Sequence, residues 1–278
     1  QLWQIPKKRP GTFERLSGDI SVLSDVEYIG QKAIGTSSRS NPVTYIKAYD
    51  HIRNLFIEQH LSKVRGYKPK HFSFNVDGGR CEHCKGDGTI TVEMQFLADI
   101  ELTCDVCGGR RFRDEILDVK VDGKNIHDVL TMRVDDAIQF FKDHTQIVTA
   151  LQPLVDVGLG YLQLSQSSNT LSGGEAQRLK IAYYLARERY DEHILFLFDE
   201  PTTGLHFHDT DRLLKALDML ITRGNTVVAI EHNMDFIRCA DWIVDLGPGG
   251  GDEGGNLIYE GSLEGLRSSP SSITAKYI

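Results

Sequence analysis

The sequence predicts an α/β fold: a parallel sheet with flanking helices, into which a smaller α+β metal-binding domain is inserted. Three observations predict it. Ile194–Phe198 and Thr226–Ile230 are short apolar runs of the kind found in covered parallel strands. Leu213, Leu214, Leu217 and Leu220 lie between them at helical spacing. Earlier in the chain, two Cys-x-x-Cys pairs stand with 19 residues between them. The 278 residues are 40% apolar and 25% charged, a globular composition sufficient for one or two domains. The net charge of −8 excludes a global positive field, so contact with nucleic acid would need a local basic patch. No run approaches the roughly 20 apolar residues of a membrane span. Gln1–Lys8 has no apolar segment of the secretory kind. The chain does not begin with Met and reads as a fragment.

The cysteine pairs are Cys81/Cys84 and Cys104/Cys107. Two-residue spacing lets neighbouring thiolates reach one ion, and two such knuckles complete the four-sulfur shell that suits Zn²⁺. Gly78, Gly79, Gly86, Gly88, Gly108 and Gly109 flank them and permit tight turns. Ile90, Val92, Met94 and Phe96 alternate with polar residues as in a half-buried strand, and 99–103 can return as its partner. Two disulfides or a redox pair are the alternatives, and nothing in the sequence suggests secretion. His83 is a fifth candidate ligand, although four thiolates already close a shell. Cys239 has no partner spacing and reads as a small buried hydrophobe.

Basic residues crowd this module: Lys63, Arg65, Lys68, Lys70 and Arg80 lead into it, and Arg110, Arg111 and Arg113 follow. His71, Phe72 and Phe74 interleave with them. Cations mixed with aromatics suit a phosphate backbone and exposed bases, against the plain alternative of a solvated charged face. Lys63, Arg65, Lys68, Lys70, Arg80 and Arg111 are the candidate backbone contacts.

In the second half, Leu171-Ser172-Gly173-Gly174-Glu175 reads as a loop entering a helix, with Ser172 and Glu175 at capping-box spacing. Leu179, Ala182, Leu185 and Ala186 continue as an apolar stripe. A well-capped core helix explains this, and a helix tip is also an anion site. The run Ile194–Phe198 ends in Asp199-Glu200, which puts adjacent carboxylates at the usual ligand edge of an α/β sheet. Asp199 suits Mg²⁺ and Glu200 suits activation of a water. Thr226–Ile230 ends in Glu231-His232; His232 reads as structural alone and as a phosphate sensor beside those carboxylates. Trp242–Leu246 is a further strand running into a glycine-rich loop at 247–255, and the Ser268–Ser272 tail reads as mobile.

Leu171–Arg178, followed by an apolar strand ending Asp199–His206, resembles the ABC-type ATPases. The resemblance implies an ABC-type ATPase core carrying the inserted zinc-binding domain. It implies that Leu171, Ser172, Gly173, Gly174 and Glu175 contact the γ-phosphate of ATP held by an opposing unit. It makes Asp199 the Walker B acid, Glu200 the catalytic carboxylate, His232 the switch histidine and Gln31 the Q-loop glutamine. Arg39–Pro42, Arg65–Pro69, Phe72–Asn75, Gly78–Cys81 and Ala240–Pro248 are further similar to the UvrA family, the damage-sensing ATPases of bacterial nucleotide excision repair. The similarity is to the C-terminal part of that family. It implies double-stranded damaged DNA, a UvrB-like helicase subunit and a homodimer as partners, a role in the SOS response, and a cytoplasmic location without a membrane. Gly30 departs from the family, which has an acid before the Q-loop glutamine.

The only Gly-Lys pair is Gly123-Lys124, followed by Asn125, so the sequence holds no G-x-x-x-x-G-K-[ST] phosphate loop. The expectation is a chain that starts after that loop, binds ATP weakly alone and hydrolyses it negligibly. The expected organisation is a core remnant with the Q-loop at 1–45, an inserted domain at 46–150 with its zinc module at about 78–112, and the returning ATPase core at 151–278. Within the insertion, Asp122–Met132 and Val134–Lys142 read as a turn and helical segments. A non-enzymatic zinc scaffold of the chaperone kind would leave Leu171–Glu175 and Asp199–Pro201 unexplained. An ABC ATPase of another branch would not need a four-thiolate insertion.

Overall fold

The computed structural model describes residues 12–15, 17–30, 39–92, 100–187, 192–249, 251 and 254–278, without the side chains of 207 and 208. It divides into two compact units, Gln1–Gly30 with Asp191–Ile278, and Gln31–Tyr190. The strands are β1 (Asp25–Ile29), β2 (Thr89–Val92), β3 (Ile100–Thr103), β4 (Ile194–Asp199), β5 (Thr226–Ile230), β6 (Ile243–Gly247) and β7 (Asn256–Gly261). The four longest helices among the described residues are α1 (Ala48–Ile57), α2 (Thr145–Asp156), α3 (Gly173–Ala186) and α4 (Phe207–Thr222).

In the first unit, β1, β4 and β5 form a parallel sheet with β4 in the centre. The register sets Ile29 beside Phe198 and Phe198 beside Ala229, and sets Tyr28 beside Leu197 and Leu197 beside Val228. Because side chains alternate along a strand, these rows lie on opposite faces. The first face is covered, with Ile29, Phe196 and Phe198 buried. Helix α4 packs on β5 and buries Leu213, Leu217 and Leu220 of the expected stripe, with Ala216 buried beside them and Leu214 only half-buried. The second face is open: Tyr28, Val228 and Ile230 are 59%, 48% and 65% exposed. The apolar run of β4 suggested cover on both faces. Instead, its residues alternate between buried and half-buried.

Strands β6 and β7 make an antiparallel ribbon with an irregularity at Asp245/Leu246. The tail beyond it is tied down, contrary to the mobility its serines suggested. Ser272 is buried and its hydroxyl donates to Asp245 Oδ2 at 2.5 Å, while Thr274 Oγ1 donates to Oδ1 at 3.1 Å. A serine-rich composition does not reveal that one half-buried carboxylate partner holds it.

The second unit has a core of Tyr49, Ile52 and Phe56 from α1 with Phe72, Phe74 and Phe112. Their rings meet in tilted and edge-on pairs, and the Tyr49 hydroxyl donates to the Phe72 carbonyl at 2.5 Å. The turn and helices expected after Asp122 are present as a Val121–Lys124 bridge, Ile126–Leu130 and Val134–Phe140. Asn125 caps the first of these helices by accepting from the Asp128 N–H at 3.0 Å. Helix α2 packs between α1 and α3. Strands β2 and β3 pair antiparallel from Thr89/Thr103 to Val92/Ile100, the return expected from the alternation. Met94 and Phe96 lie outside the described residues.

Candidate metal centre and carboxylate edge

Cys81, Cys84, Cys104 and Cys107 converge at the base of the β2–β3 hairpin, all buried and all free thiols. Sγ–Sγ separations are 4.0 Å for Cys81–Cys104 and 3.7 Å for Cys84–Cys107. A disulfide requires about 2.0 Å. A tetrahedral ion with Zn–S bonds of ~2.3 Å requires its sulfurs about 3.8 Å apart. The donor set therefore fits zinc. The knuckles are shaped by backbone: Gly88 N–H donates to Cys84 Sγ at 3.3 Å, and Gly86, at φ +89, has the Phe74 carbonyl packed where a side chain would stand. Burial pushes the Cys84 thiol up, and the Cys107 thiol up to about 12. Four thiolates at this spot need a cation. His83 stands half exposed with Asp105, 3.5 Å away, on the solvent side of Cys104.

At the C-terminal edge of the sheet, Asp199 ends β4 and Glu200 turns away from it at φ +45. Glu200 donates its N–H to the Ile230 carbonyl at 2.9 Å, which holds the turn against the end of β5. Its carboxylate accepts from Thr203 Oγ1 at 3.1 Å and lies 3.9 Å from His232 Nδ1. The structure thus brings Asp199, Glu200 and His232 to one edge. Glu231 holds the two loops together: its Oε1 accepts the Thr202 N–H at 2.7 Å, and its Oε2 accepts the N–H groups of His232 and Asn233 at 2.9 and 3.2 Å. Tyr28, on β1, donates to Asp199 Oδ2 at 2.7 Å. Sequence reasoning passed over both residues. Glu231 was visible as a strand-end acid, but Tyr28 needed the strand register. Gln31 lies outside the described residues.

In the second unit, Ser172 caps α3 with the full reciprocal box. Its hydroxyl accepts from Glu175 N–H at 3.3 Å, and its own N–H donates to Glu175 Oε2 at 2.7 Å. Tyr161 donates to the same carboxylate. Ser172 is exposed and Leu171, Gly173, Gly174 and Glu175 are half-buried, so the tip faces solvent.

The candidate basic residues divide. Lys63, Lys68 and Lys70 are exposed. Arg65 donates to the Glu115 carbonyl at 2.7 Å and to Asp118 at 2.9 Å. Arg80 is 13% exposed and pairs with Asp77. Arg111 lies over the Phe74 ring at 5.2 Å, where burial pulls its guanidinium pKa down. Cys239 corrects an expectation: it is exposed, past the Met234–Ile237 helical turn, with its thiol donating to the Asp235 carbonyl at 3.3 Å. Among the described residues, no helix is long and apolar enough to cross a membrane.

No family model matches the chain. UvrABC system protein A of Clostridium perfringens (strain 13 / Type A) is 52% identical to it over 274 residues, covering 98% of this chain and 29% of that protein. The Aquifex aeolicus (strain VF5) protein of the same name is 51% identical over 268 residues, covering 96% and 29%. The chain is homologous to the UvrA family along nearly its whole length. It spans about 29% of the length of these curated relatives. The crystal structure of UvrA2 from Deinococcus radiodurans superimposes with a TM-score of 0.88 at 46% identity, covering 95% of this chain and 32% of that one. The UvrA-type fold thus accounts for both units, the parallel sheet with its flanking helices and the inserted α+β unit with its cysteine cluster.

Proposed function

We propose that the chain supplies a nucleotide half-site and a zinc-bearing, DNA-contacting insertion to a UvrA-type ATPase that recognises damaged DNA in nucleotide excision repair. The carrying observation is the meeting of Asp199, Glu200 and His232 at the end of adjacent parallel strands, in a chain about half identical to UvrABC system protein A.

The carboxylate of Asp199 offers hard oxygen to Mg²⁺. Glu200 orients the attacking water and accepts its proton; Thr203 and the N–H bond to Ile230 fix its position. His232, beside Glu200, senses the phosphate. Ser172, Gly173 and Gly174 present the tip of α3, with Leu171 and Glu175 setting its shape, to the γ-phosphate of a nucleotide on an opposing unit. Gln31, as the Q-loop glutamine, contributes to nucleotide binding. When bound, MgATP brings the phosphoanhydride bond and a cation that neutralises its charge. Gripping the β- and γ-phosphates calls for a phosphate loop, a motif this sequence does not hold. The isolated chain is expected to hydrolyse ATP negligibly.

Zinc, held by Cys81, Cys84, Cys104 and Cys107, replaces the core that so small a hairpin lacks. Lys63, Lys68 and Lys70 make contacts to DNA phosphates, while Arg65, Arg80 and Arg111 shape and charge that surface. Varied lesions share no base-edge pattern, so recognition rests on backbone charge and duplex deformability. Damaged duplex DNA, a UvrB-like helicase subunit and a second copy are the partners of the intact protein, in the cytoplasm. The test compares this chain with the full-length protein that carries it, in ATP turnover and in binding to lesion-containing duplex. The expected result is DNA-responsive turnover by the full-length protein alone. Turnover by the isolated chain, or none by the full-length protein, overturns the reading.

A further inference from the structure

Tyr28 has no part in the roles above, yet it holds the residue they depend on. In the sheet it lies opposite Leu197, so Asp199, two residues further along β4, is its diagonal neighbour on the same face. Its hydroxyl donates to Asp199 Oδ2 at 2.7 Å. The ring reaches that position by lying over Gly30: a Cβ there would come within 2.8 Å of Tyr28 Cε1. Gly30 is not in a left-handed conformation, so it is the space over it, and not the backbone, that calls for glycine. Tyr28 is 59% exposed, so burial does not explain its placement. The bond to the carboxylate raises the phenol pKa above its ordinary value.

We infer that Tyr28 is a positioning residue for the divalent cation: it fixes Asp199 by one carboxylate oxygen and leaves the other for the metal, and Gly30 is the gap that admits its ring. The inference rests on the reading of Asp199 as the cation ligand. A carboxylate at a strand end turns freely, and ordering it in advance removes that cost from metal binding. Partners that orient a ligating group typically account for about 10–100-fold in metal affinity.

The test uses the full-length protein in a Glu200→Gln background, so that nucleotide persists, with Mn²⁺ as the probe. Free Mn²⁺ is read by electron paramagnetic resonance in the presence of ATP. Tyr28→Phe is expected to weaken Mn²⁺ uptake about 10-fold, with ATP affinity in chelator and thermal midpoint unchanged. Gly30→Ala, which keeps the hydroxyl but displaces the ring, is expected to weaken it by a similar factor. The double variant should be no worse than either, because both remove one interaction. A parent that binds Mn²⁺ and a Tyr28→Phe variant that binds it equally well overturn the inference and leave Asp199 as ligand. Multiplying effects in the double variant overturn the pairing of Tyr28 with Gly30. A parent that takes up no Mn²⁺ with ATP overturns the ligand role of Asp199 and the inference together.

Discussion

The cysteine cluster, which can hold a metal ion, and the carboxylate edge, for which a cation is proposed, are built in opposite ways. The cluster draws its four sulfurs from one hairpin and its flanking knuckles, and buries all of them. The edge draws Asp199, Glu200 and His232 from the ends of two strands, and leaves Glu200 about half exposed and His232 mostly so. A buried thiol cluster costs stability until an ion neutralises it, so its metal is part of folding. An exposed edge held by hydrogen bonds costs little without its ligand and stays accessible to one. The difference suits the first to making structure and the second to the chemistry proposed for it.

The largest expected effect breaks the first site alone. Cys104→Ser, or removal of the metal by a strong chelator, should unfold the hairpin module. Zinc binding to small structural modules is typically worth about 10–16 kcal/mol, so the local loss should be several kcal/mol. Bridging bonds such as Cys81 N–H to Arg111 O and Arg113 N–H to Gly79 O should open with it. Metal content near one zinc per chain, and rapid proteolysis between 80 and 112 after chelation, check this. The first unit should be unaffected. An intact, protease-resistant hairpin without metal would erase the contrast.

Glu200→Gln is the mirror experiment. It should lower ATP turnover of the full-length protein by about 10²–10⁴-fold, the usual range for a lost general base. Zinc content and thermal midpoint should not move. Single-turnover kinetics with bound nucleotide provide the measurement.

The two sites were also unequally legible. The cysteines could be read outright, because two-residue spacing constrains geometry within a knuckle. The carboxylates could be read because Asp199 and Glu200 are adjacent at the end of an apolar run. Tyr28 and Glu231 could not, since their roles depend on strand register and on the meeting of two loops. Arg80 and Arg111 counted as free cations by composition. In the structure Asp77 and the Phe74 ring engage them. The one-sided cover of β4 was hidden because an unbroken apolar run does not say which face a helix will occupy.

Glu231 should show an intermediate effect. Glu231→Ala leaves the N–H groups of Thr202, His232 and Asn233 without their acceptor. The expected cost is about 1–3 kcal/mol, read in urea unfolding, with turnover falling as the turn after β4 loosens. Stability loss without a turnover change would mean that Glu231 does not position the edge.

Smaller still are the basic residues, where the hairpin and its surroundings can be dissected by salt. Replacing Lys63, Lys68 and Lys70 with Ala should flatten the dependence of DNA affinity on salt by about 0.9 per lost phosphate contact. Folding stability should be unchanged. Arg80→Ala should do the reverse, lowering stability through its lost pairing with Asp77 and leaving the slope nearly intact. Equal slopes for the lysine variant and the parent would move the DNA surface elsewhere.

The smallest effect concerns the tip of α3, which is exposed like the edge yet ordered by its own cap. Partial burial raises the Glu175 pKa, but the bonds from Tyr161 and from the N–H and hydroxyl of Ser172 outweigh it and hold the carboxyl below its usual value. A carboxyl held low when folded contributes stability above its unfolded pKa of about 4.3. That contribution fades as pH falls through the lower folded value. Ser172→Ala should cost about 1 kcal/mol at pH 7, in the ordinary range for a lost N-cap. It should also shrink the acid dependence in part, because the hydroxyl bond to the carboxylate is gone while those from Tyr161 and the residue-172 N–H remain. Tyr161→Phe should shrink it while leaving the cap in place. Urea midpoints at pH 7 and pH 4, with zinc content followed in parallel, separate this from acid release of the metal. If both variants kept the parent's acid dependence, the tip would owe its order to packing on α2 and not to its polar cap.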